Sequence, residues 1–101
     1  MDNEEINGLL KKLLLELKKQ YNVKKLVLFG SYSNGTNRID SDIDVAVLID
    51  KIQGDFFSTI PQLWKISGDI DPRIEPILFD DDYVDNSGFL KTILEDGIVI
   101  T

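Results

Sequence analysis

The sequence predicts an α/β (α+β) fold, a small mixed β-sheet flanked by helices, and three observations carry that prediction. Ile6, Leu9, Leu10, Leu13, Leu14 and Leu17 recur at helical spacing near the start of the chain. Two apolar runs, 26–29 and 43–49, are short and rich in Val, Ile and Leu, as buried strands are. Helical and strand-like segments then alternate to residue 100, and a chain of that pattern buries its apolar faces by covering a sheet with helices.

The elements follow in order. Asn3 is placed to cap a first helix that runs to about residue 20, where Tyr21-Asn22 breaks it. Residues 26–29 read as a short buried strand, and Gly30 then forces a turn. Residues 31–35 read as a short helix opening at Ser31, and 43–49 as a second strand. Residues 54–70 read as a helix whose early part is disturbed by Pro61. Residues 73–79 make a third strand, in which Pro76 favours an edge position. The acidic stretch 80–85 reads as a loop. Asn86 or Ser87 is placed to cap a helix over 88–96, which Gly97 stops ahead of a short strand at 98–100. The expected order is αβαβαβαβ, with no repeat or linker, and the whole of 1–101 reads as a single domain.

Composition removes several classes of function. The longest apolar run is 45–49, far short of the roughly 20 residues that span a bilayer. The acidic opening does not resemble a signal peptide and there is no cysteine, which together fit a cytoplasmic protein. Histidine is absent too, so proton transfer must use Asp, Glu, Lys or Tyr. A metal would have to accept oxygen ligands, which suits Mg²⁺ rather than Zn²⁺. Net charge is −7 and uneven: the first 25 residues hold six Lys against four acidic groups, the remaining 76 five Lys/Arg against fourteen. So acidic a body repels a long nucleic acid, but it accepts a small anionic ligand when divalent cations sit between.

The informative stretch is "LVLFGSYSNGTNRIDSDIDVAVLID", residues 26–50. Side chains alternate along a strand, so Asp42, Asp44, Ala46 and Leu48 share one face while Ile43, Val45, Val47 and Ile49 take the other. Two carboxylates about 6.5–7 Å apart along a strand can splay around one divalent ion or bridge two. Left unpaired they repel each other. Glu75, in the third strand, is placed to join them from a neighbouring strand. Three carboxylates and no histidine make the ligand set of a two-metal phosphoryl- or nucleotidyl-transfer centre. Gly30 allows close backbone approach to a ligand, and Ser31 at a helix start offers N–H groups and a hydroxyl to phosphate. Singly, each feature has a plainer reading: a common Gly-Ser turn, solvated aspartates before a strand, a surface glutamate. Asp80, Asp81 and Asp82 read as a solvated loop, the leucine stripe as core, and Trp64 as core or partner contact.

In combination the features are far more specific. Gly30-Ser31, ten residues, then Asp42-Ile43-Asp44 matches the GS-x10-D-x-D signature of the DNA polymerase beta-like nucleotidyltransferase superfamily. Within it the chain resembles the minimal nucleotidyltransferases, short proteins paired with HEPN-domain toxins. The resemblance runs from Leu26 through "SDIDVAVLI" to "DPRIEPILF". It implies the polymerase beta-like nucleotidyltransferase fold, with Gly30 and Ser31 on the nucleotide phosphates and Asp42, Asp44 and Glu75 on two Mg²⁺ ions. It also implies ATP as substrate, Glu75 as proton acceptor, and AMP transfer to a hydroxyl of a HEPN ribonuclease toxin, this chain being the antitoxin. With no residues left for an acceptor domain, the acceptor surface is expected from a homo- or hetero-oligomer. The chain departs from the family at Asn34, where GS-x-A-R-G is common; Arg38 follows in the same loop. That departure keeps open an antitoxin that neutralises by binding. A dimeric small-molecule nucleotidyltransferase is the third possibility.

Overall fold

The computed structural model describes residues 3–30, 42–52 and 54–100. The expected short helix at 31–35, and with it Ser31, Asn34 and Arg38, lies outside them. In chain order the described elements are α1 (Asn3–Lys18), β1 (Val23–Phe29), β2 (Ile43–Ile49), α2 (Phe56–Ile70), β3 (Ile74–Phe79), α3 (Phe89–Asp96) and β4 (Ile98–Ile100). The strands form one mixed sheet in the order β3-β2-β1-β4. β1 runs antiparallel to β2 and β4, and β2 parallel to β3, with α2 making the crossover. β3 stands at an edge, where Pro76 is tolerated because a proline has no ladder N–H to give.

The sheet is sandwiched. Ile43, Val45, Val47 and Ile49 point to one face and pack with Ile6, Leu10, Leu13, Leu14 and Leu17 of α1 and Leu63 of α2. Each such leucine contributes about 1.5–3 kcal/mol by leaving water. On the other face Val27, Ala46 and Phe79 form a smaller cluster under Ile93 of α3. Since α3 has only eight residues, it covers that face in part.

Local chemistry explains the boundaries. Glu4 and Glu5 in the first turn of α1 and Lys18 in the last complement the helix dipole. β1 starts three residues earlier than its apolar run, because Lys24, at an irregularity in the β1–β2 register, bridges Asp50 (3.3 Å) and Asp81 (2.6 Å). Asp55 caps α2 by accepting the Phe57 N–H at 3.1 Å, and the helix runs on through Pro61 in its second turn. Gly97 does more than stop α3: a Cβ there would lie 2.5 Å from the Ile93 carbonyl oxygen and 2.8 Å from that of Leu28. Only glycine lets the chain turn so tightly against β1.

The cap of α3 differs from expectation. Neither Asn86 nor Ser87 is the main cap; Asp85 accepts the N–H groups of Leu90 and Lys91, each at 2.9 Å, while Ser87 takes only that of Phe89 at 3.3 Å. The loop folds back so that a residue outside the usual capping position reaches the helix end. Those backbone hydrogen bonds hold the Asp85 carboxyl below its ordinary value. Its contribution is therefore complete above the ordinary carboxylate range and lost as pH falls through the lower folded value. An Asp85→Ala variant is expected to melt below wild type at neutral pH, the gap closing in acid, as read by thermal denaturation across pH.

Ser67 is fully buried in α2, and its hydroxyl has no hydrogen-bond partner among the described residues. Ser67→Ala removes a desolvated polar group at little cost in volume, so stability is expected to rise by about 1 kcal/mol in denaturant unfolding.

Candidate active site

β2 and β3 bring the predicted carboxylates together. Their parallel register sets Asp44 beside Glu75, and across the antiparallel pair Phe29 stands opposite Asp44. Asp42 precedes β2 and is exposed, whereas Asp44 and Glu75 are half-buried. The row lies on the α3 side of the sheet, since Asp44 shares its face with Ala46 and Glu75 shares its face with Phe79.

Electrostatics bind the three into one group. Burial raises the Asp44 carboxyl above its ordinary value, the Asp42 charge raises it further, and a hydrogen bond with Glu75 acts the other way. Glu75 is raised by burial, then by the charges of Asp42 and Asp44 and by hydrogen bonds to both. Burial and mutual repulsion thus work against the ionised forms of both Asp44 and Glu75.

Gly30 closes the end of β1 in the left-handed region (φ 75°), and a methyl group built there would collide with Asp44 Oδ2. The Asp44 carboxylate therefore lies directly against the glycine of the turn. The sequence alone does not reveal this contact, because 13 residues separate the two positions and only the β1–β2 pairing joins them.

The donor set suits a hard divalent cation: all ligands are oxygen, the charges are concentrated, and the raised carboxyls trace to burial and to one another. Among the described residues, however, no three acidic side chains already converge to enclose an ion. The residues fit Mg²⁺ chemically, with the ligand shell left to be completed by other groups such as phosphate oxygens. A separate groove of about 760 Å³, lined by Asn22, Asp50, Asp55 and Gln62 among others, lies at the opposite end of β2. It contains none of the carboxylate row.

A family model described as "Nucleotidyltransferase domain" matches residues 10–99. The chain belongs to the nucleotidyltransferase domain family. Two relatives from Methanocaldococcus jannaschii carry the name "Putative protein adenylyltransferase". MJ1215 is 46% identical over 43 residues, 43% of this chain and 50% of its own length. MJ1379 is 38% identical over 68 residues, 63% of this chain and 68% of its own length. The matched segment thus spans about half the length of the first relative and two thirds of the second.

Solved structures agree on the fold of this nucleotidyltransferase domain. A crystal structure described as a putative nucleotidyltransferase from Sulfolobus solfataricus superposes with a TM-score of 0.69 at 20% identity, covering 94% of this chain and 78% of that one. A second, described as a toxin-antitoxin with AMP-PNP, gives 0.63 at 28% identity, covering 94% and 72%. The fold is the polymerase beta-like nucleotidyltransferase fold, and the expected mixed sheet flanked by helices is the one observed. Among the described residues no helix is long and apolar enough to cross a membrane.

Proposed function

We propose that this chain is a protein adenylyltransferase serving as the antitoxin of a toxin–antitoxin pair, moving AMP from ATP to a hydroxyl on a HEPN-domain toxin. The observation that carries the reading is the carboxylate row, with Asp44 beside Glu75 in register, Asp42 two residues away and Gly30 against Asp44. The names of the M. jannaschii relatives support protein as acceptor, and the AMP-PNP-bound toxin-antitoxin neighbour supports both the nucleotide and the partner class.

In this reading Asp42, Asp44 and Glu75 hold two Mg²⁺ ions, which when bound neutralise charge on the triphosphate and on the departing pyrophosphate. Gly30 leaves room for the phosphates beside Asp44, and Ser31, outside the described residues, donates its hydroxyl to a phosphate oxygen. The acceptor hydroxyl attacks the α-phosphorus of ATP; a P–O bond to the acceptor forms as the bond to pyrophosphate breaks. Glu75, ionised when the metals neutralise its acidic neighbours, takes the hydroxyl proton. The charged body of the domain supports a folded protein acceptor over a nucleic acid.

The test is incubation with ATP, Mg²⁺ and the protein encoded by the neighbouring gene, read by intact mass. The wild type is expected to add one or more AMP masses to the partner, and Asp42→Asn none. An unmodified partner with the wild type, or undiminished transfer by the variant, overturns the reading. Asn34 at the position of a common family arginine favours one alternative, neutralisation by binding alone. Under that alternative, Asp42→Asn still silences the toxin while adding no AMP.

A further inference from the structure

Two residues before Glu75 the chain makes a clamp that the mechanism above leaves unused. Asp71, the residue that ends α2, accepts three hydrogen bonds from Arg73: from the backbone N–H at 2.9 Å, from Nε at 3.0 Å and from Nη2 at 2.7 Å. The backbone of Asp71 is tied down as well. Its N–H donates to the Ser67 carbonyl at 3.0 Å, and its carbonyl accepts the Ile74 N–H at 3.1 Å. The two side chains are 13% and 30% exposed, so this is a partly desolvated, two-pronged ion pair rather than a loose surface contact.

A backbone hydrogen bond joins the clamp to the carboxylate row. The Arg73 carbonyl accepts the N–H of Ile43 at 2.8 Å. Ile43 is the residue between Asp42 and Asp44, and the register that starts here pairs Ile43 with Ile74 and Asp44 with Glu75. β3 is an edge strand whose one strand neighbour among the described residues is β2, so its position along β2 rests on this ladder, on the packing of Ile74, Leu78 and Phe79, and on its anchored start. A displacement of Arg73 would move Glu75 on one strand relative to both aspartates on the other.

We propose that the Asp71–Arg73 pair is a positioning element for the carboxylate row, setting the spacing of Asp42 and Asp44 from Glu75 and so which divalent cation the row accepts with a nucleotide. The proposal rests on the nucleotidyltransferase reading of that row. Its physical basis is the difference between cations. Mg²⁺ requires near-octahedral oxygen ligands at about 2.0–2.1 Å, whereas Ca²⁺ tolerates irregular shells at about 2.3–2.6 Å. A row held in fixed register can favour Mg²⁺; a loosened one cannot.

The experiment measures AMP-PNP binding by calorimetry for wild type, Asp71→Ala and Asp71→Asn, in Mg²⁺ and in Ca²⁺, with circular dichroism as the control for folding. In Asp71→Ala, Mg²⁺-supported affinity is expected to fall about 10–100-fold, while Ca²⁺-supported affinity changes by no more than about threefold. Asp71→Asn keeps an acceptor oxygen for the Arg73 backbone and is expected to shift the ratio in the same direction by less. An unchanged Mg²⁺ to Ca²⁺ ratio in both variants, with only lower melting temperatures, makes the pair merely structural and overturns the proposal. If Asp71→Ala fails to fold, the ratio in Asp71→Asn decides alone. A wild type that binds AMP-PNP no better with Mg²⁺ than without removes the nucleotidyltransferase reading itself, and the proposal with it.

Discussion

Asp44→Asn is expected to cut AMP transfer about a thousandfold or more while raising the melting temperature of the metal-free protein. The first effect follows from the proposed function, in which Asp44 is one of the charged groups that stabilise the transition state. The second follows from where Asp44 sits. It is half-buried beside Glu75, with the Asp42 charge nearby, and both burial and that charge disfavour its ionised form. Asparagine keeps the shape and can still accept a hydrogen bond from Glu75, but it takes one charge out of the repelling row. Opposite signs for activity and stability mark a functional site whose arrangement works against the fold. The assay pairs single-turnover AMP transfer with thermal melts in chelator. A variant that melts lower and transfers normally would show that Asp44 serves packing instead.

Gly30→Ala should separate the two effects by size. A non-glycine residue in the left-handed region costs about 1–2 kcal/mol, which a folded domain of this size can survive. The collision with Asp44 Oδ2 is relieved cheaply in energy, because the obstacle is the free end of a side chain. It is relieved by displacing the carboxylate proposed to hold metal, and misplacement by about 1 Å can cost on the order of 100-fold in rate. The expected result is a folded protein by circular dichroism, slightly less stable, whose Mg²⁺-dependent transfer has largely gone. A variant with normal transfer would show that Asp44 works from a position unlike the one seen here.

The two variants also show what could be read from sequence. The stretch from Leu26 to Asp50 predicted which strand residues face the helices, because side-chain alternation is local: Ile43, Val45, Val47 and Ile49 enter the main core as expected. The edge position of β3 was legible in Pro76 for a similar reason, since a missing N–H is a property of one residue. Capping was less legible. The Asp85 carboxylate reaches Leu90 and Lys91 only because the loop after β3 folds back, and no pattern of neighbouring residues specifies that path.

By itself, the sequence determined the class of fold, the strand that carries Asp44 with Asp42 just ahead of it, and the all-oxygen character of any metal site. These depend on residue type and on spacings of a few positions. Only the tertiary structure decided that Glu75 stands beside Asp44, that Gly30 lies against the Asp44 carboxylate, and that the Asp71–Arg73 pair ties the start of β3 to Ile43. Each of those facts is a pairing between segments distant along the chain, set by strand register. A shift of one residue would have turned Asp44 or Glu75 to the opposite face, so the site exists only once the whole sheet has assembled.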